Sequence, residues 1–104
     1  MPQRRHFSSY LQELATELRR HQLWQLQPPS SEALASQTPF ALDTLAPHEW
    51  LQWIFIPRMQ ALLEAEMPLP QGFSVAPYFE EVWKEQRHYH AMIELLRRID
   101  RECA

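Results

Sequence analysis

Residues 47–63 read Pro47-His48-Glu49-Trp50-Leu51-Gln52-Trp53-Ile54-Phe55-Ile56-Pro57-Arg58-Met59-Gln60-Ala61-Leu62-Leu63. Pro47 suits the first turn of a helix, where its missing N–H has no intrahelical role. Trp50, Leu51, Trp53, Ile54, Phe55, Ile56, Met59, Leu62 and Leu63 then point to almost every side of that helix. A helix apolar all round belongs in the middle of a bundle. Ile54-Phe55-Ile56 alone also reads as strand, but no second alternating segment exists to pair with it. The spacing therefore predicts a helix over about 47–66. Pro57 sits inside it, removes one hydrogen bond and predicts a kink near 53–57. Arg58 falls between Ile54 and Leu51/Leu62 on the wheel, among apolar positions. A buried or half-buried arginine needs a carboxylate or a bound anion. The expected partner is internal, namely Asp43, a glutamate or helix-end carbonyls, stapling the preceding linker to the core. The functional alternative is contact with an anion or an acidic partner.

Upstream, Phe7, Leu11, Leu14 and Leu18 form one helical stripe and predict a helix over about 7–23, capped at Ser8 or Ser9. Arg19-Arg20-His21 set positive charge at its C-terminal end, where the helix dipole favours it. From Trp24 to Ala46 there is no sustained periodicity, and Pro28-Pro29 and Pro39 divide the segment. It reads as a linker with one short helical turn near 30–35, pinned by Trp24, Leu26, Phe40, Leu42 and Leu45. Downstream, Met67-Pro68-Leu69-Pro70-Gln71-Gly72 stops the central helix, with Gly72 the natural site of positive φ. Pro77 opens another helix with Tyr78, Phe79, Val82 and Trp83 on its buried side. A break near 85–88 is favoured over one helix across 77–102. The last helix buries Tyr89, Met92, Ile93, Leu96, Ile99 and Cys103, with Leu95 widening the stripe. Glu94, Arg97, Arg98, Asp100 and Arg101 face water.

The chain has 104 residues, 45% of them hydrophobic and 12% aromatic, which suits one globular domain. One glycine against nine prolines excludes a glycine-rich phosphate loop or dinucleotide fingerprint. One cysteine excludes an internal disulfide and a multi-cysteine zinc site, and suits a reducing compartment. Cys103 itself is expected to be too terminal to be held rigidly. The basic N-terminus is not followed by an apolar stretch of signal-peptide length, and the longest such run, Trp50–Pro57, falls far short of the ~20 residues that span a bilayer. A cytoplasmic location is expected.

The net charge of −3 is uneven: +2 over residues 1–30, −6 over 31–86 and +1 over 87–104. Catalytic signals are thin. His88 and His90 lie two apart and would face away from one another on a helix, while His90 and Glu94 are two ligands and not a site. The acid pairs Glu64/Glu66 and Glu80/Glu81 flank turns and helix starts, and Ser8-Ser9 and Ser30-Ser31 have no positioned base. No catalytic residue, cofactor or metal is expected. Aromatic residues exceed what the core needs, so an exposed patch from Trp24, Phe40, Trp50 or Tyr78 would mark a partner site.

Thr38-Pro39-Phe40, Asp43-Thr44-Leu45, Glu49-Trp50-Leu51-Gln52-Trp53, Ile56-Pro57-Arg58-Met59, Pro68-Leu69-Pro70 and Val75-Ala76-Pro77-Tyr78 together resemble the YqcC-like family. The resemblance runs from about residue 7 to the C-terminus and is strongest over 37–79, with the last helix departing through extra Arg and His residues. It implies a small all-α bacterial domain of unestablished function, encoded beside tRNA pseudouridine synthase C, and hence an accessory role in tRNA modification. It implies no catalytic residues. It does imply that Glu49, Trp50, Trp53, Pro57, Arg58 and the 75–78 turn are the signature surface or the structural centre. A pseudouridine synthase itself works through an aspartate in a β-rich domain, and this sequence has neither a sheet nor a suitably placed Asp.

The resulting expectation is a single YqcC-like helical domain over 1–104, an all-α, kinked bundle of about four helices with a proline-rich linker packed over it. Its expected function is a non-enzymatic protein-interaction module, with a partner surface from Phe40, Asp43, Glu49, Trp50, Trp53, Arg58 and Tyr78. The expected partner is a protein, with the pseudouridine synthase implied by the resemblance, and no membrane. The alternative is an RNA-contacting factor using Arg4, Arg5, Arg19, Arg20, Arg97, Arg98 and Arg101.

Overall fold

The computed structural model describes residues 2–103, with side chains from His6 onward. In chain order the helices are α1 (Pro2–Arg20), α2 (Ser31–Leu34), α3 (Pro47–Trp50), α4 (Ile56–Glu64), α5 (Ala76–Val82) and α6 (His90–Glu102). Single 3-10 turns occupy Pro39–Ala41 and Arg87–Tyr89, and no strand occurs among the described residues. The fold is thus the all-α bundle that the hydrophobic pattern predicts.

Pro57 shapes its centre. It has no N–H to offer the Trp53 carbonyl, and its ring crowds the preceding turn. The chain widens there: the Ile56 N–H donates to the Leu51 carbonyl, five residues back and not four. This π-turn, Leu51–Phe55, joins α3 to α4 without ending the helix. It is the form taken by the distortion expected near 53–57. An extra residue in one turn rotates everything beyond it by about one wheel position, since an α-helix takes ~3.6 residues per turn. Arg58 is therefore exposed, not buried, and among the described residues no ion pair or hydrogen bond through it staples the linker.

The linker is held instead through Gln25. Its backbone N–H donates to Gln52 Oε1 at 2.8 Å, and its carbonyl accepts from Gln52 Nε2 at 2.8 Å. Its side-chain Nε2 donates to Glu49 Oε2 at 3.0 Å, and its Oε1 accepts from Trp53 Nε1 at 2.8 Å. Glu49 Oε1 also accepts the Ala46 N–H at 2.8 Å, which caps the start of α3. Gln52, at 4% exposure, is the one buried polar residue among the described residues. A buried amide keeps its place only when both of its ends are bonded. Apolar anchoring of the linker is narrower than expected: Leu45 is buried and Trp24 and Phe40 half-buried, but Leu26 is 94% exposed and Leu42 60%.

Phe7, Leu11, Leu14 and Leu18 are completely buried where α1 packs on α6 and α4. Each such side chain contributes about 1.5–3 kcal/mol. Because α1 already begins at Pro2, Ser8 and Ser9 lie inside it and cap nothing. With no glycine available, α1 and α4 end on Gln22 (φ 62°) and Glu66 (φ 55°). Leu23 N–H to the Leu18 carbonyl and Met67 N–H to the Leu62 carbonyl, at 2.8 and 2.9 Å, close the two ends in Schellman fashion.

α5 packs on α6 after a break at 83–89, as favoured, although Val82 at the end of this seven-residue helix is exposed. α6 buries Met92, Ile93, Leu95, Leu96 and Ile99. Asp100 does not face water: its Oδ1 and Oδ2 accept the N–H groups of Val75 and Ala76 at 2.8 and 2.9 Å. The first donors of α5 lack intrahelical partners, and its short sequence has no capping side chain of its own, so a carboxylate from α6 supplies one. Cys103, expected to be loose, is 1% exposed, and its carbonyl accepts the Gly72 N–H at 2.6 Å. Burial pushes its thiol up to about 11, with Asp100 and Glu102 adding to the shift. Among the described residues no helix is long and apolar enough to cross a membrane.

Gln52→Ala leaves the half-buried N–H and carbonyl of Gln25 unpaired, and should lower the unfolding free energy by roughly 2–4 kcal/mol. Urea denaturation measures this, and a loss below about 0.5 kcal/mol would mean that water replaces the bonds without penalty. The Ala46 N–H, followed by the Gln25 amide, holds the Glu49 carboxyl below its ordinary 4.5 against the opposing effect of burial. A depressed folded value stabilises above the unfolded one and loses that contribution as pH falls through it. The stability difference between wild type and Glu49→Gln should therefore be full above about pH 5 and shrink progressively below it. A difference independent of pH would remove Glu49 ionisation from the clasp.

Candidate functional site

The sequence places Trp50 and Phe55 one residue before and at the end of the π-turn, so both rings fall on one face of the central helix, 5.3 Å apart. Phe40 arrives from the linker and stacks on Tyr78 of α5 at 4.2 Å and 11°. It also meets Trp50 at 4.8 Å and Phe79 at 6.3 Å, both edge-on. Edge-on and offset contacts of this kind suit the ring quadrupoles. Phe40 (φ 58°) and Ala41 (φ 48°) take up left-handed backbone to make this approach. Each such residue costs about 1–2 kcal/mol, offset here by packing, and Ala41 is buried.

On the other side, Gly72 (φ 81°) turns the chain back from the proline segment. The Gly72 bond to Cys103 and the Asp100 carboxylate on Val75 and Ala76 fix both ends of residues 72–76. Phe73 is thereby set against Phe55 at 6.3 Å. Between these walls lies a cleft of about 300 Å³, lined chiefly by Phe40, Trp50, Phe55, Met59 and Phe73, with Arg58 as its charged residue. Arg58 and Ser74 are exposed, and neither has an ion pair or hydrogen bond to another side chain among the described residues. Burial raises the Tyr78 hydroxyl.

Of the residues expected to form a partner surface, Phe40, Trp50 and Arg58 line this cleft, and Tyr78 backs it through Phe40. Glu49 and Trp53 belong to the Gln25 clasp. Asp43 is exposed and accepts from Ser36 Oγ at 2.6 Å, the bond chiefly responsible for its lowered pKa. Gln25, Phe55 and Phe73 lie outside the partner surface expected from sequence. A glutamine interrupting the apolar run was the one available signal for the clasp, and the lone glycine before Phe73 the one for the cleft wall.

Two other hollows differ in character. A groove of about 640 Å³ has the clasp at its floor, with Trp24, Trp53 and the exposed Leu26 on its walls. Arg19 stacks over Trp24 there, 4.3 Å from the ring centre. The α1–α6 groove of about 480 Å³ is polar, with Glu13, Glu17, Glu94 and Arg98. Arginines proposed to contact RNA are interleaved with acids: Arg20 pairs with Glu17 at 3.5 Å, and Arg97 with Glu80 at 2.8 Å and with Glu94. Arg98 and Arg101 are exposed, while the side chains of Arg4 and Arg5 lie outside the described residues. His21 packs against His88 and Tyr89, and no three His, Cys, Asp or Glu side chains among the described residues converge where a metal could bind.

A family model described as tRNA pseudouridine synthase C matches residues 6–102. An uncharacterised protein of Haemophilus influenzae is 49% identical over 76 residues, covering 73% of this chain and 72% of that one. Uncharacterised protein YqcC of Escherichia coli is 45% identical over 83 residues, 80% of this chain and 76% of that one. The solution NMR structure of E. coli YqcC superposes with a TM-score of 0.87 at 37% identity, over 100% of this chain and 90% of that one. tRNA pseudouridine synthase C of Pectobacterium carotovorum is 48% identical over 67 residues, which are 64% of this chain but 18% of that longer protein. With residues 6–102 matched by the family model and the whole chain superposed on E. coli YqcC, the chain belongs to the YqcC-like family.

Proposed function

We propose that this chain is a protein-interaction module without chemistry of its own, acting in the cytoplasm as an accessory to tRNA pseudouridine modification. The observation that carries the interaction reading is the open aromatic cleft lined by Phe40, Trp50, Phe55 and Phe73, with Arg58 at its edge bonded to no side chain among the described residues. Interface centres are built from such aromatic and arginine residues. The link to tRNA modification rests on the Pectobacterium protein. There, a segment like this one occupies 18% of a longer chain named for the synthase.

Both aspartates favour a supporting role over a catalytic one. Asp43 is bonded to Ser36 on the surface, and Asp100 is spent on the start of α5. Arg20 and Arg97 are likewise occupied by glutamates, which weakens the case for a phosphate-binding face.

Mixing the purified chain with separately expressed pseudouridine synthase C should give a complex in analytical ultracentrifugation that survives nuclease. Phe73→Ala, which opens the cleft wall, should weaken it about tenfold, in line with a central aromatic contact. Loss of the complex on nuclease treatment would favour RNA as the bridge, and the absence of any complex would overturn the accessory role.

A further inference from the structure

We infer that the cleft receives an acidic–aromatic segment of a partner protein, one apolar side chain entering between Phe40 and Phe73 and a neighbouring carboxylate pairing with Arg58. This rests on the cleft being the docking face. Its volume of about 300 Å³ is at the low end for ligand pockets and suits one or two side chains better than a cofactor. Its walls are aromatic and thioether carbon, so what enters must be apolar.

Charge then selects the occupant. No carboxylate lines the cleft, and several on the elements that form it are committed elsewhere: Asp43 to Ser36, Glu49 to Ala46 and Gln25, Glu80 to Arg97, and Asp100 to Val75 and Ala76. Arg58 is left as a planar, permanently charged donor beside apolar walls, a setting that favours a bidentate carboxylate. Ser74, exposed on the same rim and without a hydrogen bond among the described residues, adds a further donor. The strained backbone at Phe40 and Ala41 holds the aromatic wall in place before any partner arrives. Residues 31–86 carry a net charge of −6, which one arginine cannot offset along a phosphate chain or an acid-rich tract, whereas a single carboxylate beside the apolar anchor meets Arg58 alone.

The test titrates the full isotope-labelled chain with a blocked peptide, Gly-Ser-Phe-Glu-Ser, and follows amide shifts by NMR. Saturable shifts centred on Phe40, Trp50, Phe73 and Ser74 are expected. Replacing the peptide's Phe by Ala or its Glu by Lys should abolish them. Arg58→Glu should weaken binding at least about tenfold, and Arg58→Lys by only a few fold. Since Arg58 is exposed, both variants should keep the wild-type spectrum elsewhere. No shifts at up to about 5 mM peptide, equal binding of the lysine peptide, or indifference to Arg58→Glu would each overturn the inference. A synthase complex unaffected by Arg58→Glu would overturn it while leaving the accessory role standing. Peptide binding without a synthase complex would do the reverse.

Discussion

Gln25 belongs to no helix, yet its backbone N–H, its carbonyl and both ends of its side chain are all bonded to one face of the central helix. That clasp is what turns a proline-broken linker into part of the fold. It needs Glu49, Gln52 and Trp53 on neighbouring positions of the helix, and the widened turn at Leu51–Phe55 contains the last two of them. Pro57 forbids the ordinary bond to Trp53, so the same proline that distorts the helix accompanies the face on which the linker is caught. Once residue 25 is fixed, the chain to Pro47 is a closed loop. Ser30 capping Ala33, Thr44 bonding the Ala33 carbonyl and Ser36 bonding Asp43 then order its middle. Phe40 is thereby delivered to the aromatic cluster.

The polar and aromatic residues of the central helix consequently divide into two groups. Glu49, Gln52 and Trp53 look inward to the clasp, and their exchange would disturb the linker before anything else. Trp50 and Arg58 lie on another face of the same helix, against Phe40, Phe55 and Phe73. A second long-range contact completes that face, since Asp100 and the Cys103 carbonyl tie residues 72–76 to the end of α6. The cleft is thus assembled from the linker, the central helix, the proline turn and, at a distance, the last helix. Its shape depends on polar bonds that lie outside it.

Periodicity carried the helices well. The stripes Phe7–Leu18 and Met92–Ile99 are buried as their spacing requires, and Pro57 marked the site of the helix distortion. A helical wheel assumes a constant turn, however, and the π-turn violates that assumption between Leu51 and Ile56. Arg58 was misplaced for this reason alone, and its true position turned it from a staple into the charged residue of a cleft. Asp100 and Cys103 were misread for a different reason. Their roles come from residues 24 or more positions away or from burial by packed neighbours, neither of which appears in local spacing. The aromatic patch was legible as residue types, but the partners that form it, Phe55 and Phe73, become evident only once the chain is closed in three dimensions.

The clasp can be tested without altering the protein, by native-state hydrogen exchange at the Gln25 amide. Although that amide lies in a loop, its bond to buried Gln52 should protect it to within about 1–2 kcal/mol of the most stable helical amides. Its neighbours Leu26 and Gln27, both exposed, should exchange freely. Gln25 exchanging as fast as those two would contradict the account, because the linker would then be resting on the bundle and not fastened to it.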